Sequence, residues 1–462
     1  MYRIVFVFFF FIHSLSSSNA QQRIIKAEAL MDIDYFFDVA RRVHPNLYSK
    51  VSRIQMEQKI AAFKSQLSPS IDVDDFSKGM RKLVNQLGDG HTNVLLSNRL
   101  REEYLKGNKR LPFHIRIKEN HLFISESTDQ HLKIGDQILS LNGIDAEALM
   151  GLASYPYADV RANAIKLLEK YFSYYFFIEY GLSDSIDVKY LHGEKMEHVC
   201  IPLVSGTPNT GERKYRYSKV APHSGLLEMN SFAGLKEKKF KSFLDSIWGT
   251  FSQEGVDTLF VDLRSNGGGN SYFAELLLAY LGVKQTRLHR QYRVKTSGPL
   301  KRYMRKKYFK WYTYPLYPLA YFNRSGRIFF FKKNGTITDL DTEPHPLSPP
   351  RNAFGGKVFV LTSPSTYSAA ANFVVGFKYA QRGKVVGDTL GQPYSGFIDK
   401  MPFVLPHSGL HAGVSFKRYS YVGATANNGQ KGVAPDVYFD PERMIPEENG
   451  KKRINPEMLE GL

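Results

Sequence analysis

The hydrophobic positions of this 462-residue chain change period twice along its length. From residue 27 to about 88 they recur at three- and four-residue steps. Ala27–Val43 sets Leu30, Ile33, Phe36, Phe37 and Ala40 on one helical face, and His44-Pro45 ends it. Ile54–Leu67 and Val73–Leu87 repeat the pattern on either side of a Ser68-Pro69-Ser70 break, and the run closes at Gly88-Asp89-Gly90-His91-Thr92. From residue 111 to about 205 the period falls to two. Phe113–Ile117 and His121–Ile124 alternate, and Ile138–Leu141 follows a glycine turn and ends at Asn142-Gly143, a strand–turn signature. From Gly225 onward strands and helices take turns. Val256–Leu263 reads as a buried strand, Ser271–Leu281 as a helix, Lys357–Thr362 as a strand, Ser365–Gln381 as a helix and Lys384–Gly387 as a strand. That alternation predicts an α/β core built on a mainly parallel sheet.

The N-terminus changes the picture first. Arg3 precedes an unbroken apolar run from Ile4 to Ile12, and Ser18-Asn19-Ala20 places small residues before a cleavage point, so residues 1–20 read as a secretory signal and the chain as exported to a periplasmic, envelope or external space. The apolar run is far short of the roughly 20 residues that a spanning helix needs. Cys200 is the single cysteine, which excludes an internal disulfide and a cysteine metal cluster, and its apolar surroundings read as a buried site.

The formal charge of +18 is local. The segment from Lys284 to Lys333 holds 15 Lys and Arg and no acidic residue. Its interleaved aromatics, Tyr303 and Tyr308 to Tyr314, suit an anionic surface or an acidic substrate, against the plainer reading of a solvated excursion. Nucleic acid is not expected as a partner of an exported chain.

Candidate chemistry falls at strand ends, where ligands bind in open α/β sheets. After the first core strand, Asn266-Gly267-Gly268-Gly269 can present amides toward an anion, and no Gly-Lys-Ser/Thr follows to make it a Walker loop. After the second, Ser368 is expected in the first turn of a helix, where amides and the helix dipole favour negative charge, and Ala369–Ala371 keep the approach open. A capping role is the commoner fate of such a serine. His91, in a glycine-flanked turn, is the candidate base for it, with a surface histidine as the alternative.

These segments, Leu87–Thr92, Asp262–Gly269, Thr366–Ala370, Gly387–Gly391 and Gly432–Asp436, stand in the order found in C-terminal processing (tail-specific) and tricorn-core serine peptidases, which this chain resembles. Leu132–Gly143 is similar to the centre of a PDZ domain, where such enzymes often carry one. The resemblance implies a crotonase/ClpP-like core, with Ser368 as nucleophile and amides of Gly267, Gly268 and Ala369 as the oxyanion hole. It implies no metal or cofactor and a peptide or protein substrate. Tail-specific members place a lysine base where this chain has Gln392, which cannot accept a proton. That selects His91 by resemblance to the tricorn-like branch, assigns no third member, and predicts that replacing Gln392 leaves hydrolysis intact. The corresponding division is a signal at 1–20, a helical domain at 21–108, a PDZ-like domain at 109–206, a peptidase core at 207–445 with a basic insertion at 284–333, and a tail at 446–462. A catalytically silent peptide- or ligand-binding protein on the same fold is the alternative.

Overall fold

A computed structural model of the chain describes residues 22–107, 109–206 and 213–439, together with the short strands Glu447–Glu448 and Lys451–Lys452. The expected signal segment and nearly all of the expected tail lie outside the described residues.

The core is a six-stranded sheet in the order Tyr215–Ala221, Ser224–Met229, Thr258–Asp262, Lys357–Thr362, Lys384–Gly387 and Val437–Tyr438. The first pair is antiparallel and every later pair is parallel. Its central strands are apolar on both faces: Leu227, Val261 and Val360 meet the helices on one, and Leu226, Phe260, Leu361 and Val386 form a smaller buried cluster on the other. The helices Glu237–Glu254, Ser271–Tyr280 and Ala369–Tyr379 follow three successive parallel strands, and the cluster they build includes Phe240, Leu277, Phe373 and Phe377, all fully buried. Each such side chain contributes about 1.5–3 kcal/mol of transfer free energy. Asp262 pairs with Leu361 in the register, and so the turns that leave these two strands start side by side.

A second sheet runs Ile337–Asp341, His289–Lys295, His411–Tyr421 and Ser395–Val404, with Asn93–Val94 added to the His411–Tyr421 strand. This addition carries the segment just after His91 across the molecule. The helices Lys26–Val43, Arg53–Ser65 and Val73–Asn85 fall where the periodicity places them. Their core is shared: Phe36 and Phe76 pack in one cluster with Val294, Leu300, Met304, Ile328 and Phe416. Fully buried Asp32 ties the first helix to the same body, accepting the backbone N–H groups of His407 at 3.0 Å and Ser408 at 2.8 Å.

The basic segment is therefore not an excursion at its ends. His289–Lys295 is an inner strand, and the helix Gly298–Tyr308 buries Leu300 and Met304 against the N-terminal helices. Only Trp311–Phe322 stands clear, a 3-10 helix with no buried residue.

Residues 113–202 form a separate antiparallel sheet in the order Lys195–Pro202, Ser185–His192, Gln137–Leu141, His121–Ser127 and Phe113–Lys118, and the aromatic run Phe172–Tyr180 is a helix packed in its core. Cys200 corrects the expectation of burial. It lies on the outermost strand, where alternation turns Ile201 inward and leaves Cys200 exposed.

Candidate active site

Ser368 sits at the N-cap of Ala369–Tyr379, one position earlier than the first-turn placement expected from sequence. Its backbone adopts φ +55° and ψ −119°, which an L-residue rarely takes and which costs about 1–3 kcal/mol. The surroundings hold it there. Tyr367 N–H donates to Asn266 O at 3.1 Å, Thr366 Oγ1 to Leu263 O at 2.9 Å, and Ser363 Oγ to Arg264 O at 2.6 Å. The serine turn is thus lashed to the glycine-rich turn of the neighbouring strand.

That second turn is built around fully buried Asn266, whose Nδ2 donates to Met229 O at 2.7 Å while its Oδ1 accepts the Gly268 N–H at 2.9 Å. Gly268 has φ +101°, and a Cβ there would lie 2.7 Å from the Ser368 Cβ and 2.9 Å from the Ala369 nitrogen. Glycine is required by this close approach as much as by its torsion. Of the three expected oxyanion donors, Gly268 already spends its N–H on Asn266. The N–H groups of Gly267 and Ala369 are unpaired among the described residues.

The turn that bears His91 is organised by Asp89, which is buried. Its Oδ1 accepts the His91 N–H at 2.8 Å, and its Oδ2 accepts from Thr92 Oγ1 at 2.5 Å and from Nε2 of His44 at 3.2 Å. Asn46 N–H donates to Nδ1 of His44 at 3.1 Å, which leaves the His44 proton on Nε2, facing the carboxylate. Burial pushes the Asp89 carboxyl up, but the hydrogen bond from His44, together with His91 and Thr92, outweighs it and holds Asp89 below the usual carboxylate range. Thr92 Oγ1 also accepts the Ser415 N–H at 3.0 Å, which fixes the turn to the second sheet. Asp89 therefore sets the backbone of His91, and the imidazole is met by other groups.

Those groups are Tyr367 and Asp159. Nδ1 of His91 lies 3.3 Å from the Tyr367 hydroxyl, and the two rings stack at 5.5 Å with an interplanar angle of 20°. The same hydroxyl donates in a short hydrogen bond to Asp159 Oδ2, and Asp159 Oδ1 accepts the Gly90 N–H at 3.3 Å. Because the phenol proton points to Asp159, the Tyr367 oxygen is free to accept an Nδ1–H, and Nε2 of that tautomer would carry the lone pair. Burial keeps the Tyr367 phenol far above its ordinary range, so it stays protonated. Burial, helped by the Asp89 charge, also raises the Asp159 carboxyl, against the pull of Lys50, His91 and the Tyr367 hydroxyl. At Gly90 an added Cβ would meet the Tyr367 hydroxyl at 2.3 Å, so this glycine too is dictated by close approach.

Gln392 is fully buried beneath the serine. Its Oε1 accepts the Ser368 N–H at 3.0 Å and its Nε2 donates to the Tyr419 hydroxyl, which donates in turn to Pro393 O at 2.8 Å. The side chain is a clamp on the strained residue. That physical role revises the expectation that it is dispensable.

The sequence singled out Ser368, His91, Gly267, Gly268 and Ala369. The structure packs Gly268 and Ala369 against Ser368 and joins His91 to the residue before it. Among the described residues the Ser368 hydroxyl makes no hydrogen bond, with His91 or with another group. Asp159 and the roles of Tyr367 and Gln392 were missed. Tyr367 had a signal in its place beside the serine, and Asp159 had none, lying 208 residues from its partner. No group of three or more His, Cys, Asp or Glu among the described residues is arranged to hold a metal ion.

No curated protein matches the chain by sequence. A family model described as peptidase family S41 matches residues 223–439, which span five of the six core strands, the glycine-rich turn and the serine turn. Among solved structures, mature CPAF is similar with a TM-score of 0.63 at 14% identity, covering 90% of this chain and 94% of that one. Mature CPAF complexed with lactacystin gives 0.62 at 12% identity, covering 90% and 95%. At these identities the likeness shows the fold, and it extends over nearly the whole of both chains.

Proposed function

We propose that this chain, whose core belongs to the serine-type peptidases of family S41, is an exported endopeptidase with Ser368 as nucleophile and His91 as general base. The observation that carries the reading is the strained backbone of Ser368 at the head of a buried helix, clamped from below by Gln392. Such strain persists where the surroundings enforce it, and it gathers at functional positions.

In the proposed reaction Nε2 of His91 removes the Ser368 proton as Oγ attacks the substrate carbonyl. The new C–O bond gives a tetrahedral oxyanion, for which the unpaired N–H groups of Gly267 and Ala369 are the donors, Gly268 supplying the space between them. The C–N bond then breaks, and the leaving amine takes the proton back from His91. Water, deprotonated by the same imidazole, releases the acyl group and restores the serine. Tyr367, backed by Asp159, is the positioning group for Nδ1, in the place where a carboxylate often stands. The Ser368–His91 hydrogen bond forms only with substrate in this reading, since such bonds are often loose in its absence. Export rests on the N-terminal apolar run and the small residues that follow it.

The test is hydrolysis of a quenched fluorescent peptide library and of an unfolded protein by the full chain. Cleavage abolished by Ser368→Ala and lowered several orders of magnitude by His91→Ala supports the assignment. Cleavage that survives Ser368→Ala would remove it.

A further inference from the structure

The segment Trp311–Phe322 exposes apolar surface to a degree seen nowhere else among the described residues. Trp311 is 82% exposed and Phe322 80%, with Tyr312, Tyr314, Leu316, Leu319 and Tyr321 each at half or more. A contiguous patch of this kind marks an interaction surface. It is also built on a firm base. Tyr317, at its middle, packs on Phe309 and Phe330, and Phe330 belongs to the core shared with the N-terminal helices. Pro315 and Pro318 stiffen the winding between the exposed residues.

Beside the patch opens a pocket of about 400 Å³, walled by Tyr321 and Phe331 and lined by Arg324, Arg327, Lys332 and Thr338. No acidic residue lies between Lys284 and Lys333. The next ones belong to the strand Ile337–Asp341, whose alternation turns Thr338 and Leu340 to the pocket, while Asp339 pairs with Arg293 at 2.7 Å and Asp341 accepts from Gln291 at 3.1 Å. Among the described residues the three pocket cations form no ion pair. Arg327 donates to Tyr321 O at 3.2 Å and Lys332 to Thr338 Oγ1 at 2.9 Å, both uncharged acceptors.

We propose that this face docks the protein on an anionic phospholipid bilayer, with the aromatic and leucine side chains entering the interface and the pocket taking a lipid phosphate. Three features select that occupant. Trp and Tyr beside Lys and Arg are the side chains that settle at the boundary between headgroups and acyl chains. Leu316 and Leu319 suit acyl chains and give nothing to the stacked bases of a nucleic acid. A second copy would set one unbalanced cationic surface against another. The inference is independent of the catalytic assignment.

Tryptophan emission tests it. The chain has two tryptophans, and Trp248 is 4% exposed and donates to Tyr280 O at 3.0 Å, so a change on docking reports on Trp311. With the full chain, phosphatidylglycerol vesicles are expected to shift the emission to the blue, and brominated acyl chains to quench it, while phosphatidylcholine vesicles do neither. Replacing Arg324, Arg327 and Lys332 together by glutamine is expected to weaken vesicle affinity roughly a hundredfold. Leu316→Ser with Leu319→Ser and Phe322→Ser, on the 3-10 helix that carries Trp311, is expected to abolish the quenching. An unchanged emission at saturating phosphatidylglycerol would overturn the proposal. So would the same shift produced without vesicles by inorganic phosphate, by an oligonucleotide, or by raising the protein concentration.

Discussion

The hydroxyl oxygen of Tyr367 lies 3.3 Å from Nδ1 of His91, and that hydroxyl gives its own proton to Asp159. The chain distance between the two ring residues is 276 positions, so the contact is made by the fold. A phenol whose proton is committed elsewhere can only accept, which selects the Nδ1–H tautomer of the imidazole. Tyr367→Phe keeps the stacked ring and removes the acceptor. It is expected to lower kcat roughly a hundredfold with little change in KM, as small losses of alignment do. The acid limb of the pH–rate profile is expected to move as well. An unchanged profile with unchanged kcat would show that Tyr367 only packs.

Gln392→Ala leaves the Ser368 N–H and the Tyr419 hydroxyl without their partner in a fully buried place. The expected cost is about 1–3 kcal/mol of stability, together with a lower kcat as the serine turn relaxes. Denaturant melts and peptide turnover on one preparation check both. Gln392→Glu also separates clamp from base, since a carboxylate there repels the developing oxyanion and is expected to reduce turnover further.

Asp159 supplies a pH signature. Its folded carboxyl titrates above the ordinary 3.8 because burial, and then the Asp89 charge, disfavour ionisation. The folded chain therefore holds this proton more tightly than the unfolded chain does. Between 3.8 and the raised folded value, stability falls as pH rises, and the loss persists at higher pH. Asp159→Asn has no such titration. Its melting temperature relative to the wild type is expected to climb as pH rises from 3.8 through the raised folded value, while its activity is lower throughout. A constant difference between the two proteins over that range would contradict the assignment.

Gly268→Ala tests the packing of the two turns. The new methyl would press on the Ser368 Cβ and on the backbone at Tyr367 and Ala369, at a residue whose φ is +101°. Turnover is expected to be lost together with thermal stability. Gly143→Ala is the comparison, with a positive φ of +76° but no atom within 4 Å of the added Cβ. It is expected to show the torsional cost alone and to keep its activity.

What the sequence revealed of this molecule was local. The strands Lys357–Thr362 and Lys384–Gly387 and the three N-terminal helices follow from apolar periodicity, which is a short-range property. The glycines at 90 and 268 marked turns correctly, although the reason for them, contact with Tyr367 and with Ser368, became visible only in three dimensions. Cys200 misled because an apolar run was read as buried throughout, when an edge strand buries alternate residues. The basic segment misled in the other direction. Its charges pointed to solvent, while Leu300, Met304, Ile328 and Phe330 hold it in a core built largely by residues more than two hundred positions earlier. Asp159 was invisible for the same reason: its partners at Gly90 and Tyr367 are remote in sequence.

The central claim is that Ser368 is a nucleophile activated by His91, and covalent labelling addresses it most directly. The full chain is treated with a fluorophosphonate and the modified peptide is identified by mass spectrometry. A single adduct is expected on Ser368, formed rapidly in the wild type and slowed by orders of magnitude in His91→Ala. An adduct on another serine, no adduct at all, or labelling of Ser368 at an equal rate in both proteins would contradict the account.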